Sequence, residues 1–366
     1  MKILIITHSL RYNYGGILQN FALQYVLKQL GHNCLTLKLH RKSSLKDKIL
    51  SKVKYFVHTL LGHVVIRPLS DEDINLICGN TDLFINQHIA MSPAMGVIDK
   101  SWVRKHNFDA IVVGSDQVLH PASYKHIEDI YLGFIQGVKK IIYAGSFGSE
   151  KWNYTDVQTH NCARLVKDFS GISVREKRGQ QFFHDYFSVK ASLVLDPTLL
   201  LDQSVYLSTI KQSVRSLGLV TYFLDPSSKK NEIVDFVSKE LALPIQSSGN
   251  EKMDDAWLSP SQRVAESVEN WLARMAGAEF IVTDSFHGTC FAIIFRKPFI
   301  AIANKLRGLD RFKTLLAHFG LEDRLIYDFN DLLNSSLLSN SIDYDRVETI
   351  QKKKIDESLH FLINNL

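Results

Sequence analysis

The residues best placed to do chemistry sit where short apolar runs end. Phe280-Ile281-Val282-Thr283 reads as a buried strand, Asp284-Ser285-Phe286-His287-Gly288 follows at once, and an apolar helix is expected over Thr289–Phe295. A helix start offers unpaired backbone N–H groups and the positive end of the peptide dipoles. His287, Gly288 and Thr289 are therefore candidates to meet an anion. Gly288 would let a ligand approach the backbone closely. Histidine gives and takes protons near neutrality, which suits acid–base work. A structural reading stands beside this one: Asp284 or Ser285 caps the helix, and His287 is a satisfied core residue.

Arg175 follows another apolar run, Gly171-Ile172-Ser173-Val174. A guanidinium directly after a buried strand needs an anionic partner. A substrate carboxylate or phosphate held bidentately would serve, and so would an internal ion pair to Glu176 or another acidic neighbour. The first apolar run leads into Tyr12-Asn13-Tyr14-Gly15-Gly16-Ile17-Leu18-Gln19-Asn20. Its paired glycines suit a tight turn with exposed amides, which makes Asn13, Tyr14, Gly15, Gly16 and Gln19 candidates for holding phosphate or sugar hydroxyls. This is not GxGxxG, and no acidic residue follows at the dinucleotide spacing, so NAD and FAD are disfavoured. Gly114-Ser115-Asp116-Gln117 and the Ser146-Phe147 turn close two further apolar runs. Asp116 is placed to accept a proton from a hydroxyl, or to cap its own turn.

The elements behind these turns share one rhythm, a compact β-branched run followed by a helical pattern. Ile3–Thr7, Asn33–Lys38, Ala110–Val113, Lys140–Ala144, Gly171–Val174 and Ser192–Leu195 read as strands buried on both faces. The rhythm restarts after Asp196-Pro197 with Leu219–Leu224, Pro244–Gln246, Phe280–Thr283, Phe299–Ala303 and Arg324–Tyr327. The expectation is two doubly wound, Rossmann-like α/β domains, 1–205 and 206–344, with ligands bound outside the carboxyl ends of their strands. Residues 345–366 read as a charged amphipathic helix that packs back on the first domain.

The 366 residues suit two domains, and 45% hydrophobic with 22% charged residues is ordinary for a folded protein. The opening apolar run is too short for a leader and reads as a buried strand. No uncharged run reaches membrane-spanning length. The four cysteines, Cys34, Cys78, Cys162 and Cys290, lack metal or disulfide spacing and fit reduced core thiols of the cytoplasm. No His/Asp/Glu cluster suggests a metal. Of the net charge of +5, seven Lys/Arg against Asp47 between Lys38 and Lys54 supply +6, so the basicity is local and argues against a nucleic-acid partner. With Val53, Tyr55, Phe56 and Val57 beside it, the stretch 38–57 is a candidate for peripheral contact with anionic lipid, or a solvated charged face.

Taken in order, Asn13-Tyr14-Gly15-Gly16-Ile17-Leu18-Gln19, Val113-Gly114-Ser115-Asp116-Gln117, Ser173-Val174-Arg175-Glu176, Leu195-Asp196-Pro197-Thr198 and Thr283-Asp284-Ser285-Phe286-His287-Gly288 resemble the polysaccharide pyruvyl transferase family. The ordered set is specific where no single motif is. The resemblance implies a GT-B-like fold with a cleft between its halves. It also implies transfer of a pyruvyl group from phosphoenolpyruvate to a sugar of a surface or exopolysaccharide, or of its lipid-linked precursor, as a ketal. His287 would be the catalytic acid/base and Arg175 would bind the donor's phosphate or carboxylate, with no cofactor beyond the donor substrate. Family members often carry an Arg two residues before this His, where this chain has Ser285. The donor side is assigned Ser285, Gly288 and Thr289, and the missing charge is expected from Lys305 or Arg307, just after the next strand. The acceptor side is assigned the turns at 13–19, 114–117 and 146–147. The competing readings are a glycosyltransferase using a nucleotide-sugar and a non-catalytic member of a glycan-assembly complex.

Overall fold

In the computed structural model, which describes residues 1–39, 69–95, 97–248, 258–304 and 307–366, the strands form two sheets with every pairing parallel. The first sheet contains β1 (Lys2–Ile6), β2 (Asn33–Thr36), β3 (Ala110–Asp116), β4 (Lys139–Gly145), β5 (Gly171–Val174) and β6 (Ser192–Leu193), in the order β2-β1-β3-β4-β5-β6. The second contains β7 (Leu219–Tyr222), β8 (Ile245–Ser247), β9 (Phe280–Thr283), β10 (Phe299–Ile302) and β11 (Leu325–Ile326), in the order β11-β10-β9-β7-β8. This is the doubly wound α/β class. β3, β5, β7, β9 and β10 are buried along their whole length, which is why they read as continuous apolar runs rather than alternating ones.

Several boundaries differ from the sequence reading. β6 stops at Leu193; Val194 N still donates to Val174 O at 3.0 Å, and Leu195 N goes to Ser358 Oγ, 3.0 Å away on the C-terminal helix. β11 is only Leu325–Ile326, and Tyr327 N is taken by Asp331 Oδ2 at 2.7 Å. The first helix, Tyr14–Gln29, takes in both glycines of the expected tight turn, because Asn13 caps it by accepting from Gly16 N at 3.2 Å.

One apolar core runs through both sheets' flanks. It takes in Ile3, Ile17 and Leu27, continues through Leu199 and Tyr206, and reaches Trp271, Phe291 and Phe299. Tyr14 stacks on Trp271 at 5.3 Å between ring centroids, so the start of the first helix is keyed to the second half by an aromatic contact. The last helix, Tyr344–Asn365, bonds to both halves. Tyr344 donates to Ala292 O at 3.3 Å, while Gln351 Nε2 donates to Leu199 O at 3.1 Å. The basic stretch 38–57 lies from residue 40 onward outside the described residues. Among the described residues no helix is long and apolar enough to cross a membrane. All four cysteines are free and buried, and burial pushes the Cys34 and Cys78 thiols up to about 11.

Candidate active site

The carboxyl ends of β3, β5, β6 and β9 bring a set of charged side chains together out of solvent. Arg175, one residue past β5, is 2% exposed. Its Nη1 donates to Asp196 Oδ2 at 2.6 Å and its Nη2 to Asp116 Oδ1 at 2.8 Å. Thus the internal ion pair weighed for Arg175 is formed, with Asp116 and Asp196 rather than Glu176. Ser115 Oγ also donates to Asp196 Oδ2, at 3.1 Å, and Thr198 supplies its N–H and hydroxyl to Oδ1. Burial works against charge on Asp196, yet His287 and Arg175 outweigh it and hold the carboxyl far below the usual carboxylate range. Burial likewise opposes ionisation of Asp116, and Arg175, followed by His287 and His8, again holds it low.

His287 reaches this cluster from the second half. Its Nε2 lies 3.7 Å from Asp196 Oδ2, an ion-pair distance but too long for a hydrogen bond. Nε2 is buried and has no hydrogen-bond partner among the described residues. A buried polar atom left unsatisfied is costly and uncommon. Gly15 explains how the ring fits, since a Cβ at that position would stand 2.1 Å from His287 Nδ1. The glycine that opens the first helix is therefore the floor on which the histidine of the other half rests.

The local structure around His287 differs from the sequence expectation. The helix begins at Phe286, not Thr289, because Ser285 caps it. Ser285 Oγ accepts from Gly288 N at 3.3 Å, and Ser285 O accepts from Thr289 N at 2.9 Å. The amides of Gly288 and Thr289, expected to be open to an anion, are thus already used within the helix. Gly288 is required by packing, since a Cβ there would meet Thr283 Oγ1 at 2.3 Å. Asp284 does not cap the helix. It ties β9 to the end of β7 by accepting from Leu224 N at 2.6 Å and Asp225 N at 3.1 Å, and pairs with Lys230.

The remaining predicted residues divide into two groups. Gln19, Ser115 and Asp116 join the cluster's framework: Gln19 Nε2 donates to Thr7 Oγ1 at 3.2 Å, and its Oε1 accepts from Ser115 N at 3.3 Å. Asp116 has a positive φ of 70°, a conformation that turns its carboxylate out of β3 toward Arg175 at some cost in backbone strain. Gly114 lets β3 and β4 approach, because a Cβ would meet Tyr143 O at 2.2 Å. Ser146 and Phe147 form the neighbouring turn, where Phe147 N donates to Glu176 Oε1 at 3.0 Å and Ser146 Oγ accepts from Gly148 N. Gln117 packs its side chain against Gly148. The second group is turned away from the cluster. Tyr14 is 1% exposed, stacked on Trp271, and donates to Glu266 O at 3.0 Å. Asn13 and Gly16 form the cap of the first helix. Arg307 clasps Asp225 with Nε at 2.7 Å and Nη2 at 2.9 Å. Lys305 lies outside the described residues.

Three ionisable residues at the cluster lie outside the sequence reading. Asp196, in sequence only one member of the Leu195-Asp196-Pro197-Thr198 motif, has its carboxylate between Arg175 and His287. His8 follows β1, stacks on Tyr124 with centroids 5.5 Å apart, and acts on Asp116. Arg311 is 5% exposed on the helix Asp310–Phe319, whose buried face otherwise carries Phe312, Leu315, Leu316 and Phe319. That last signal was legible: an arginine falls on the apolar face of a helix otherwise built for a core.

Fold and site together define a two-sheet α/β protein whose halves meet around a buried arginine–carboxylate–histidine cluster. A model of the polysaccharide pyruvyl transferase family matches residues 13–305, and the chain belongs to that family of transferases. No curated protein matches the chain by sequence. Among solved structures, UDP-GlcNAc 2-epimerase from Neisseria meningitidis bound to UDP-GlcNAc is similar at 11% identity and a TM-score of 0.49, covering 100% of this chain and 99% of that one. UGT89C1 of Arabidopsis thaliana complexed with UDP-L-rhamnose overlaps at 10% identity and 0.48, with 100% and 99% coverage. An alpha-glucosyltransferase in complex with UDP and DNA overlaps at 10% and 0.46, with 100% and 95% coverage. The fold assignment rests on the two parallel sheets themselves.

Proposed function

We propose that the protein transfers a pyruvyl group from phosphoenolpyruvate to a sugar of a surface or exopolysaccharide, or of its lipid-linked precursor, as a ketal. The acceptor is met on the cytoplasmic side, where phosphoenolpyruvate is made. The observation that carries this reading is His287, whose buried Nε2 has no partner and faces the Asp196–Arg175 pair in a chain of this family.

His287 as an imidazolium donates its proton to the methylene carbon of the donor, and C2 becomes an oxocarbenium-like centre. One sugar hydroxyl attacks C2 and its proton returns to His287. The C2–O bond to phosphate then breaks, the second hydroxyl attacks, and its proton leaves with the phosphate. One donor and one diol thus give one ketal and one phosphate. Asp196 Oδ2, 3.7 Å from Nε2, sets the ring's direction, while Arg175 holds Asp196 and Asp116 in place. The test is incubation with phosphoenolpyruvate and a glycan acceptor, following phosphate release and product mass together. Phosphate released in step with a pyruvylated product supports the reading. Product formed only from a nucleotide-sugar would replace it with glycosyl transfer.

A further inference from the structure

Arg311 is a buried cation without an ion-pair partner among the described residues. Its side chain is 5% exposed and Nε has no hydrogen-bond partner, and no ion pair to it forms among the described residues. Its guanidinium carbon lies over aromatic rings, 5.5 Å from the Phe286 centroid and 5.9 Å from that of Phe312. Burial, reinforced by the nearby Arg175, pushes Arg311 down to about 10, which leaves it charged at neutral pH. An unpaired buried guanidinium is among the most expensive groups a fold can carry.

Its placement is built rather than accidental. Asp310 Oδ2 accepts from Arg178 N at 2.8 Å and Thr314 Oγ1 accepts from Lys177 N at 3.1 Å. These two residues flank Arg311 on its helix and supply acceptors to the opening turn of the helix Lys177–Phe187, which has no side-chain cap of its own. The docking sets Arg311 beside the segment that carries Arg175 and Glu176. Phe286, adjacent to His287, receives both guanidiniums, Arg175 at 4.6 Å from its centroid and Arg311 at 5.5 Å. The carboxylates within electrostatic reach, Asp116 and Glu176, form no ion pair with Arg311: Asp116 is engaged by Arg175, and Glu176 Oε1 accepts from Phe147 N. Arg175 is spent on two carboxylates and Arg307 on Asp225, so neither is the uncompensated charge of this region.

We propose that Arg311 is the cation that receives the donor's anionic group beside His287, in place of the arginine that Ser285 lacks. The proposal rests on the pyruvyl-transfer reading for the donor's identity, but not for the existence of an anion site. It assigns Arg311 a cost in the empty protein that the bound anion removes.

Thermal unfolding and titration of the wild type, Arg311→Met and Arg311→Lys, each with phosphoenolpyruvate, inorganic phosphate and UDP, test it. The expected result has two parts. Arg311→Met without ligand is at least as stable as the wild type, because an unpaired charge is replaced by a flexible apolar chain. It also binds phosphoenolpyruvate roughly ten- to a hundredfold more weakly, the usual yield of charge-assisted hydrogen bonds, with Arg311→Lys recovering part of the affinity. Phosphoenolpyruvate affinity within twofold of wild type in Arg311→Met would overturn the proposal and leave pyruvyl transfer standing. A drop in ligand-free stability would make Arg311 structural and overturn it as well. If UDP but not phosphoenolpyruvate stabilises the wild type, and Arg311→Met abolishes that effect, the anion site holds and the donor reading fails. No stabilisation of the wild type by any of the three probes would overturn both.

Discussion

Replacing Gly15 with alanine gives opposite answers when judged from local propensity and from this structure. Gly15 lies in the first turn of the helix Tyr14–Gln29, where alanine is worth up to about 1 kcal/mol over glycine in helix propensity. The new Cβ, however, would stand 2.1 Å from His287 Nδ1, 2.4 Å from Cγ and 2.8 Å from Cε1. Ordinary contact begins near 3.4 Å, so the imidazole must retreat by 3.4 − 2.1 = 1.3 Å. It retreats within a cluster whose members are almost all below a tenth exposed, so overpacking should cost about 1–3 kcal/mol and the net effect is a loss of roughly 0–2 kcal/mol. A displacement of that size at a proton-transferring group is worth on the order of a hundredfold in turnover. The decisive assay is a double-mutant cycle in urea: Gly15→Ala, His287→Ala and both together. Removing the ring should abolish the clash, so the double variant should be more stable than the sum of the singles by about 1–3 kcal/mol. Additive behaviour, or a Gly15→Ala protein stabilised by the full helix-propensity gain, would refute the contact between the halves.

Arg175→Met strands two buried carboxylates, Asp116 and Asp196, and should cost about 3–5 kcal/mol in urea unfolding, in contrast to the neutral or stabilising Arg311→Met. A loss below about 1 kcal/mol would mean that Arg175 does not hold the pair together. His318 gives a pH-dependent expectation. Burial, then Lys354 and Lys177, pushes it down from the usual 6.5 to about 4, so the unfolded chain takes up this proton first. Its contribution is full above pH 6.5 and is lost as pH falls toward about 4, amounting to about 2 kcal/mol of lost stability at pH 5. Urea unfolding at pH 5 and pH 8 should show that slope in the wild type and a shallower one in His318→Gln.

The class of fold was legible because strands buried on both faces leave continuous apolar runs, and Phe280–Thr283 and Phe299–Ile302 match theirs closely. Short edge strands were not: two-residue β11 ends where Asp331 takes the next amide, and just past β6 Leu195 N goes to Ser358 on the C-terminal helix. The turns at 115–116, 175 and 287 do converge, because parallel strands deliver their carboxyl ends to one side. What a linear reading could not supply was the partner of each charge. Whether Arg175 meets Asp116 or a substrate is decided by the register of β3 against β4 and β5, which appears in no local pattern. The start of the helix at Phe286 turned on a single cap, Ser285, and that one residue closed the amides of Gly288 and Thr289. Neighbouring strand ends lie side by side, which makes Lys305 and Arg307, just after β10, the expected cations. The unpaired charge instead arrives on the following helix, at Arg311.

The most direct test of the account is mass spectrometry of the surface glycan from a producing strain that lacks this protein, complemented with the wild type or with His287→Ala. The wild type should restore a glycan heavier by one pyruvate ketal per modified unit. His287→Ala, folded and with stability close to wild type, should restore none. A glycan of unchanged mass in all three strains, or full pyruvylation by His287→Ala, would contradict it.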